Sequence, residues 1–101
     1  MTEKAFPCLG VIETDGLAAA LEAADSMLKL GGVSLLDIRA VVSTRVAVLI
    51  EGDLGHVQTA VEAGATAAAR KGTVVGRNVI PRCHDALLKH LKTQTQHGRT
   101  D

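Results

Sequence analysis

The alternation of apolar and polar residues divides the chain into segments of strand or helix length. Glycine or proline separates these segments, at Gly16, Gly31, Gly32, Gly52, Gly72 and Pro81. Because these two residue types interrupt helices and strands, they mark the element boundaries. The segments between them predict the order strand, helix, strand, strand, helix, strand, helix.

Residues 9–30 predict the first strand and the first helix. Residues 9–12 are mostly apolar and polar residues follow, so we expect a strand there and a helix cap at Thr14 or Asp15. Apolar residues then recur at steps of four, three and four, at Leu17, Leu21, Ala24 and Leu28. At 3.6 residues per turn these positions share one stripe, which we predict to be buried.

Two adjacent strands are predicted at residues 33–42 and 46–50, where apolar and polar positions alternate. The polar residues of the first of these strands are expected to face away from its apolar residues. Those apolar residues share one face in this prediction: Leu36, Ile38, Ala40 and Val42. Ser43 and Thr44 allow only a tight connection, so an antiparallel hairpin is the simplest arrangement.

The second half of the chain predicts a long helix, a fourth strand and a short last helix. Asp53 is a favourable N-cap residue, and a helix over residues 54 to about 71 follows it. The predicted buried positions of this helix are Leu54, Val57, Val61, Ala65 and Ala68. Residues 73–80 predict the fourth strand, residues 85–92 the short helix, and the polar residues 93–101 a frayed end.

This order predicts an α/β (α+β) fold of the ferredoxin-like, split βαβ type. Such a fold has a four-stranded antiparallel sheet with two helices on one face, and here a short C-terminal helix is added. A chain of 101 residues has room for one hydrophobic core. We therefore expect a single domain over residues 1–92, followed by a polar, disordered tail over residues 93–101.

Composition and charge exclude several classes of partner. The chain has one Phe and no Trp or Tyr, so it lacks the aromatic platforms that bind single-stranded nucleic acid. Eleven basic and eleven acidic residues cancel, which removes the positive field of a nucleic-acid-binding protein. No stretch of about 18 residues is wholly apolar. We therefore expect a cytoplasmic protein that has neither nucleic acid nor a membrane as its partner.

Candidate catalytic and metal-binding residues are few. Cys83 and His84 are adjacent, which is not the ligand spacing of a zinc site; His90 follows six residues later and Cys8 is distant. Side chains of neighbouring residues usually diverge, which disfavours a Cys-His nucleophile. We expect no catalytic activity, no metal and no cofactor, and two thiols that remain free in a reducing compartment.

Five motifs occur in one order along the chain. They are LGVIETDGL at residues 9–17, EAADSMLK at 22–29, VAVLIEGDLG at 46–55, VEAGA at 61–65 and VIPRCH at 79–84. Together they resemble the single-domain, hexamer-forming shell proteins of bacterial microcompartments, and the resemblance covers residues 8–91 without a gap.

The resemblance implies a structural protein whose homo-hexamers form flat tiles. Tiles join edge to edge, together with other shell proteins, into a shell around encapsulated enzymes, and a pore on the six-fold axis passes small metabolites. Lys29 matches the family's edge lysine, and Arg82 matches an arginine that reaches over the same boundary. Without the family, Lys29 would be interpreted as the i,i+4 ion-pair partner of Asp25, and Arg82 as a solvated charge at a turn.

The pore loop departs from the family's pattern. The family usually has Lys-Ile-Gly-Ser-Gly, whereas this chain has Ala-Val-Val-Ser-Thr, ending at Thr44. Both glycines are replaced by β-branched residues, which disfavour positive φ. We therefore expect a narrowed or closed pore, lined by Val42, Ser43 and Thr44. Arg45 at its mouth would favour anions, unless it pairs with Glu51 or with a neighbour's carboxylate.

Two further features of the sequence bear on the function. Beside the edge lysine, Gly31 and Gly32 replace the family's usual Ala-Asn, which could weaken the contact between tiles. Two other functions remain open on the residues alone. One is a ferredoxin-like regulatory module that binds an amino acid or a nucleotide at a subunit interface, and the other is an enzyme that uses Cys83 and His84.

Overall fold

The computed structural model describes residues 7–82 and 84–99, and it has the element order that the sequence predicts. The elements are β1 (Cys8–Asp15), α1 (Leu17–Leu30), β2 (Val33–Ala40), β3 (Arg45–Gly52), α2 (Leu54–Ala69), β4 (Thr73–Ile80) and α3 (Asp85–Arg99). No helix in the described part of the chain is both long and apolar enough to cross a membrane.

The four strands form one antiparallel sheet in the order β2-β3-β1-β4, and α1 and α2 pack on one face of it. This confirms the predicted fold class. The register brings Asp15 opposite Arg45 and Thr73 at one end of the sheet, which we call the hairpin end. At the other end of the sheet, β1 and β2 begin and β3 and β4 end. The helix α1 also ends there, with Lys29 in its last turn, so we call this the lysine end.

The main core lies between the sheet and the two helices, and small residues hold these layers close together. Its largest fully buried side chains include Ile12 and Ile50 from the sheet and Met27 from α1. Where α1 meets α2, the buried positions are mostly alanine, and Gly64 of α2 lies directly against Met27 and Ile12. Small side chains therefore set the distance between the helices.

The predicted buried stripe of α1 is confirmed at Ala24 but wrong at its three leucines. Leu17, Leu21 and Leu28 are 56%, 50% and 42% exposed. The residues that α1 buries are Ala19, Ala20, Ala23, Ala24 and Met27. Both sets have helical spacing, and the larger side chains are outside because α1 approaches the sheet and α2 too closely for leucines to fit between them.

The predicted common face of β2 is also wrong, because the strand contains a bulge. The pairing of β2 with β3 shifts register between Leu35 and Asp37. Leu36 therefore packs on the face that α3 covers, whereas Ile38 packs against the main core. A bulge inserts one extra residue, so residues on either side of it lose the simple alternation of faces.

The start of α1 differs from the prediction as well. β1 continues to Asp15, and Gly16, with a φ of 103°, is the N-cap of α1 without a side-chain cap. The hydroxyl of the buried Thr14 donates to the carbonyl oxygen of Gly16 at 3.0 Å. Thr14 and Asp15 therefore belong to the strand, and neither caps the helix as the sequence predicted.

The third helix covers part of the other face of the sheet. Leu88 of α3 is buried with Leu9, and Lys92 forms an ion pair with Glu51 at 3.4 Å. The helix continues through Arg99, past its predicted end at Lys92. Polarity alone does not end a helix, since Lys, Gln and Arg have nearly the helix propensity of Leu.

Gly64→Ala is expected to destabilise the fold, because a Cβ at this position would lie 2.7 Å from Met27 Cγ and 2.8 Å from Ile12 Cδ1. Overpacking of this kind costs about 1–3 kcal/mol. Urea denaturation at fixed protein concentration, followed by circular dichroism, measures the loss. Gly55→Ala in the first turn of α2 is the matched control, because its nearest neighbour would be Asp53 Oδ1 at 3.8 Å. An equal loss of stability in both variants would contradict this description of the core.

Candidate functional sites at the two ends of the sheet

The loop between β2 and β3 forms a closed turn at the hairpin end. The amide of Val41 donates to the carbonyl oxygen of Arg45 at 2.8 Å. The amide of Arg45 donates in turn to the carbonyl oxygen of Val42, also at 2.8 Å. Within residues 7–82 and 84–99, the non-glycine residues with positive φ are Ser43 and Arg82. The left-handed conformation in this loop thus falls on Ser43, and its β-branched neighbours avoid the strain.

The loop is fastened to the corner between β1 and α1. The amide of Gly16 donates to the carbonyl oxygen of Thr44 at 2.7 Å. The hydroxyl of Thr44 donates to a carboxylate oxygen of Asp15. Thr44, which stands at a glycine position of the family's loop, therefore anchors the hairpin through both its backbone and its side chain.

The exposed side chains of the loop are apolar at its tip and basic at its base. Val41 and Val42 are 48% and 63% exposed, and Arg45 is exposed as well. Arg45 has no ion-pair partner in the described part of the chain, and the carboxylate of Glu51 pairs instead with Lys92. Pairing of Arg45 with Glu51 of the same chain is therefore wrong.

Lys29 occupies the last turn of α1 at the lysine end. Its ammonium group lies 2.9 Å from a carboxylate oxygen of Asp25, as the i,i+4 spacing predicts, and both side chains are mostly exposed. The hydrogen bond from Lys29 to Asp25, together with the charge of Asp25, raises the pKa of Lys29. The lysine thus stays charged at the surface beside its own counter-ion.

Arg82 lies at the same end of the sheet, just after β4. It is exposed, has a φ of 57° and follows Pro81 in a turn. Among the described residues it has no ion-pair partner. The fold therefore places the two predicted edge residues at one end of the sheet, and it places residues 41–44 at the opposite end.

A His-Asp pair at the lysine end escaped the sequence analysis. His56 Nδ1 lies 2.6 Å from one carboxylate oxygen of Asp53, and the His56 amide donates to the other at 3.0 Å, which confirms Asp53 as the N-cap of α2. The backbone hydrogen bond from His56, followed by the side-chain hydrogen bond, lowers the pKa of Asp53. The Asp-x-x-His spacing at a helix start was the signal that could have found this pair.

The imidazole of His56 also explains why a glycine follows Lys29 so closely. Gly31 and Gly32 have φ values of 82° and 83°, and a Cβ at Gly32 would collide with the ring of His56. Positive φ and this close approach both favour glycine. The Gly31-Gly32 pair thus fixes the connection from α1 to β2 directly beside Lys29.

The alternative sites receive little support from the geometry. Cys83 lies outside the described residues, and His84 Nδ1 accepts a hydrogen bond from the amide of Ala86 at 3.0 Å, as a residue at a helix start does. In residues 7–82 and 84–99 no three His, Cys, Asp or Glu side chains are grouped as metal ligands would be. The described surface has open grooves of about 340 to 470 Å³, none of which is an enclosed pocket.

Comparison with known proteins gives consistent matches. The sequence matches the family model of the BMC domain over residues 8–83. It is 46% identical to the bacterial microcompartment shell protein PduA of Citrobacter freundii, over 82% of this chain and 89% of that protein. It is 43% identical to the carboxysome shell protein CcmK2 of Synechocystis sp., over 78% of this chain and 79% of that protein.

A solved structure matches the fold. It is a crystal structure of a microcompartment protein from Desulfitobacterium hafniense DCB, with a TM-score of 0.81 and 36% sequence identity. The match covers 88% of this chain and 48% of that chain, so this protein spans about half of the solved chain.

The pair of Asp53 and His56 predicts a dependence of stability on pH. The pKa of Asp53 is lowered in the folded chain from its ordinary value of 3.8. The carboxylate therefore stabilises the fold at pH values above 3.8, and this contribution is lost as the pH falls through the folded pKa. Asp53→Asn keeps a capping side chain but removes the charge. In urea denaturation we expect wild type to be more stable than Asp53→Asn at neutral pH, with the difference vanishing in acid. A difference that persists at the lowest pH would contradict the assignment.

Proposed function

Because this chain belongs to the BMC domain family and is a structural shell protein of bacterial microcompartments, we propose that it forms cyclic hexamers that tile the shell edge to edge. In this proposal the hairpin end of each subunit faces the six-fold axis and the lysine end faces the perimeter. The protein then forms part of the shell around encapsulated enzymes, together with other shell proteins, and its pore passes small metabolites. In this proposal it catalyses no reaction itself.

The observation that carries the proposal is the separation of the two candidate sites by the length of the sheet. Each strand has eight residues, which corresponds to about 26 Å at roughly 3.3 Å per residue. Residues 41–44 and Lys29 lie beyond opposite ends of these strands. A subunit of this kind can bring its loop to an axis while its charged residues reach the outer edge.

Lys29 suits a contact between identical edges. Two tiles that meet across a two-fold axis would bring two Lys29 side chains side by side, and like charges repel. The ion pair with Asp25 at 2.9 Å partly neutralises each ammonium group, so the aliphatic stems can approach. Arg82, exposed at the same end and without an ion-pair partner among the described residues, then has donors available for carbonyl oxygens across the boundary.

The hairpin suits a narrow pore for small metabolites. In a hexamer, Val42, Ser43 and Thr44 would each occur six times around the axis, and valine side chains would fill space that glycine leaves open. Arg45 at the base of the loop, unpaired within the described chain, would add positive charge at the mouth and favour small anions. Thr44 is tied to Gly16 and Asp15, so the constriction is held rigid.

Charge reversal at the edge tests the tiling. Lys29→Glu is expected to abolish sheets while leaving hexamers intact, because it replaces each ion pair with two acidic groups at the boundary. Light scattering should give a six-fold mass for wild type and variant, and electron microscopy at low salt should show sheets or tubes for wild type only. Lys89→Glu makes the same charge change on α3, on the other face of the sheet, and should still form sheets. Sheets of Lys29→Glu would contradict the edge assignment, and a dimeric wild type would contradict the ring.

Two substitutions test the pore. Val42→Gly removes six side chains from the proposed constriction and should raise the ion conductance of hexamers reconstituted in a planar bilayer. Arg45→Gln removes six positive charges and should lower the permeability ratio of chloride to potassium by several-fold. Unchanged conductance in Val42→Gly would contradict the lining of the pore, and an unchanged ratio in Arg45→Gln would contradict the preference for anions.

A further inference from the structure

The imidazole of His56 stands where a side chain on residue 32 would otherwise be. A Cβ added to Gly32 would lie 2.8 Å from Nε2 of His56, and still closer to two carbon atoms of the ring. Gly32 is exposed, and the side chain of His56 is 59% exposed. The surface that follows Lys29 in the chain is therefore made polar by a residue of α2 and not by the α1-β2 connection itself.

Asp53 fixes the orientation of this imidazole. Its carboxylate accepts from the amide of His56 at 3.0 Å, and its other oxygen lies 2.6 Å from Nδ1 of the ring. Because an ionised carboxylate can only accept, Nδ1 carries the proton, and Nε2 of the neutral imidazole keeps a lone pair. The side chain of Asp53 is 67% exposed. The Asp53-His56 pair thus presents acceptors and one negative charge at the lysine end.

Two other ion pairs at the lysine end already lie within one chain. Lys29 pairs with Asp25 at 2.9 Å. Lys92 pairs with Glu51 at 3.4 Å. These four charges therefore offer little to a neighbouring copy.

Arg82 differs from these cations. It is exposed and has no ion-pair partner in residues 7–82 and 84–99. Its φ of 57° is a left-handed conformation that residues other than glycine seldom adopt, and such conformations cluster at binding sites. A guanidinium has five donors and no acceptor. Arg82 is therefore available to an acceptor on another copy.

The acceptor pair and Arg82 lie at opposite sides of the lysine end. Gly32, which contacts the His56 ring, leads into β2, and Arg82 follows β4. These are the two outer strands of the sheet, so three strand spacings of roughly 4.8 Å separate them, which is about 14 Å. Identical edges that meet across a two-fold axis run antiparallel. The β2 side of each copy then faces the β4 side of the other.

We propose that Arg82 of each copy binds the Asp53-His56 pair of the facing copy across the boundary between two tiles. This inference rests on the proposed tiling and specifies what the cation of one edge recognises on the other. The two-fold axis makes the contact occur twice, and its opposite charges fix the register of the two edges. Gly32 belongs to the same recognition site, because any larger residue there would displace the ring.

Two single variants and their combination test the contact. His56→Lys puts a cation opposite Arg82, and Arg82→Glu puts a carboxylate opposite Asp53. Since like charges across an interface are repulsive, each variant should raise the protein concentration at which sheets form by about tenfold or more. The double variant His56→Lys/Arg82→Glu places opposite charges face to face again and should form sheets near the wild-type concentration.

Further variants separate this contact from effects of charge or packing alone. His56→Gln keeps a neutral acceptor and should form sheets as wild type does. Ala18→Lys and Arg70→Glu are the matched controls, because they make the same changes of charge at exposed positions of the hairpin end. Both controls should also form sheets at the wild-type concentration.

Analytical ultracentrifugation should first show that all of these proteins are hexamers. Sedimentation of assemblies over a concentration series at fixed ionic strength, with electron microscopy of the pellets, then gives the concentration at which sheets form. Recovery of sheets in the double variant also shows that both substitutions leave the subunit folded.

Three results would overturn the inference while the proposed function stands. They are sheets of His56→Lys at the wild-type concentration, a double variant that assembles no better than the single ones, and a loss in His56→Gln as large as that in His56→Lys. Each would show that Arg82 binds a different part of the facing edge. A wild type that forms hexamers but no sheets would instead contradict the proposed tiling itself.

Discussion

The close packing of two alanine-rich helices against one face of the sheet is the constraint on which the rest of the structure depends. Because α1 packs closely against both the sheet and the neighbouring α2, only small residues and one flexible methionine fit on its inner side. Gly64 of the opposite helix leaves room for the methionine, since a Cβ at this position would lie 2.7 Å from Met27 Cγ. The subunit thus encloses its core with small side chains, and it leaves three leucines of α1 on its outer flank.

The subunit thus has a buried core and, in addition, exposed apolar side chains on its surface. The buried core is one cluster that includes residues of β1, β3, α1 and α2 of a single chain. The exposed leucines, however, form one contiguous row, and contiguous apolar surface is typical of a surface that another protein covers.

The loops at the two ends of the sheet are held in place by different contacts. At the hairpin end, Thr44 binds the corner at Gly16 and the left-handed conformation falls on Ser43, so the loop is rigid without glycine. At the lysine end, Gly31 and Gly32 both have positive φ, Gly32 lies against the ring of His56, and the two glycines fix the approach to β2. Both ends are therefore held by local backbone geometry, and the exposed charges project from a fixed frame.

The sequence by itself determined the order of the elements, the cap at Asp53, the pairing of Asp25 with Lys29 and the family, because these depend on local spacing and on motifs read along the chain. Only the tertiary structure decided which stripe of α1 is buried, that β2 bulges near Leu36 and that the ring of His56 lies against Gly32. Those features depend on how closely distant segments approach one another. Periodicity gives the candidate faces of a helix or a strand, and the packing of its neighbours selects among them.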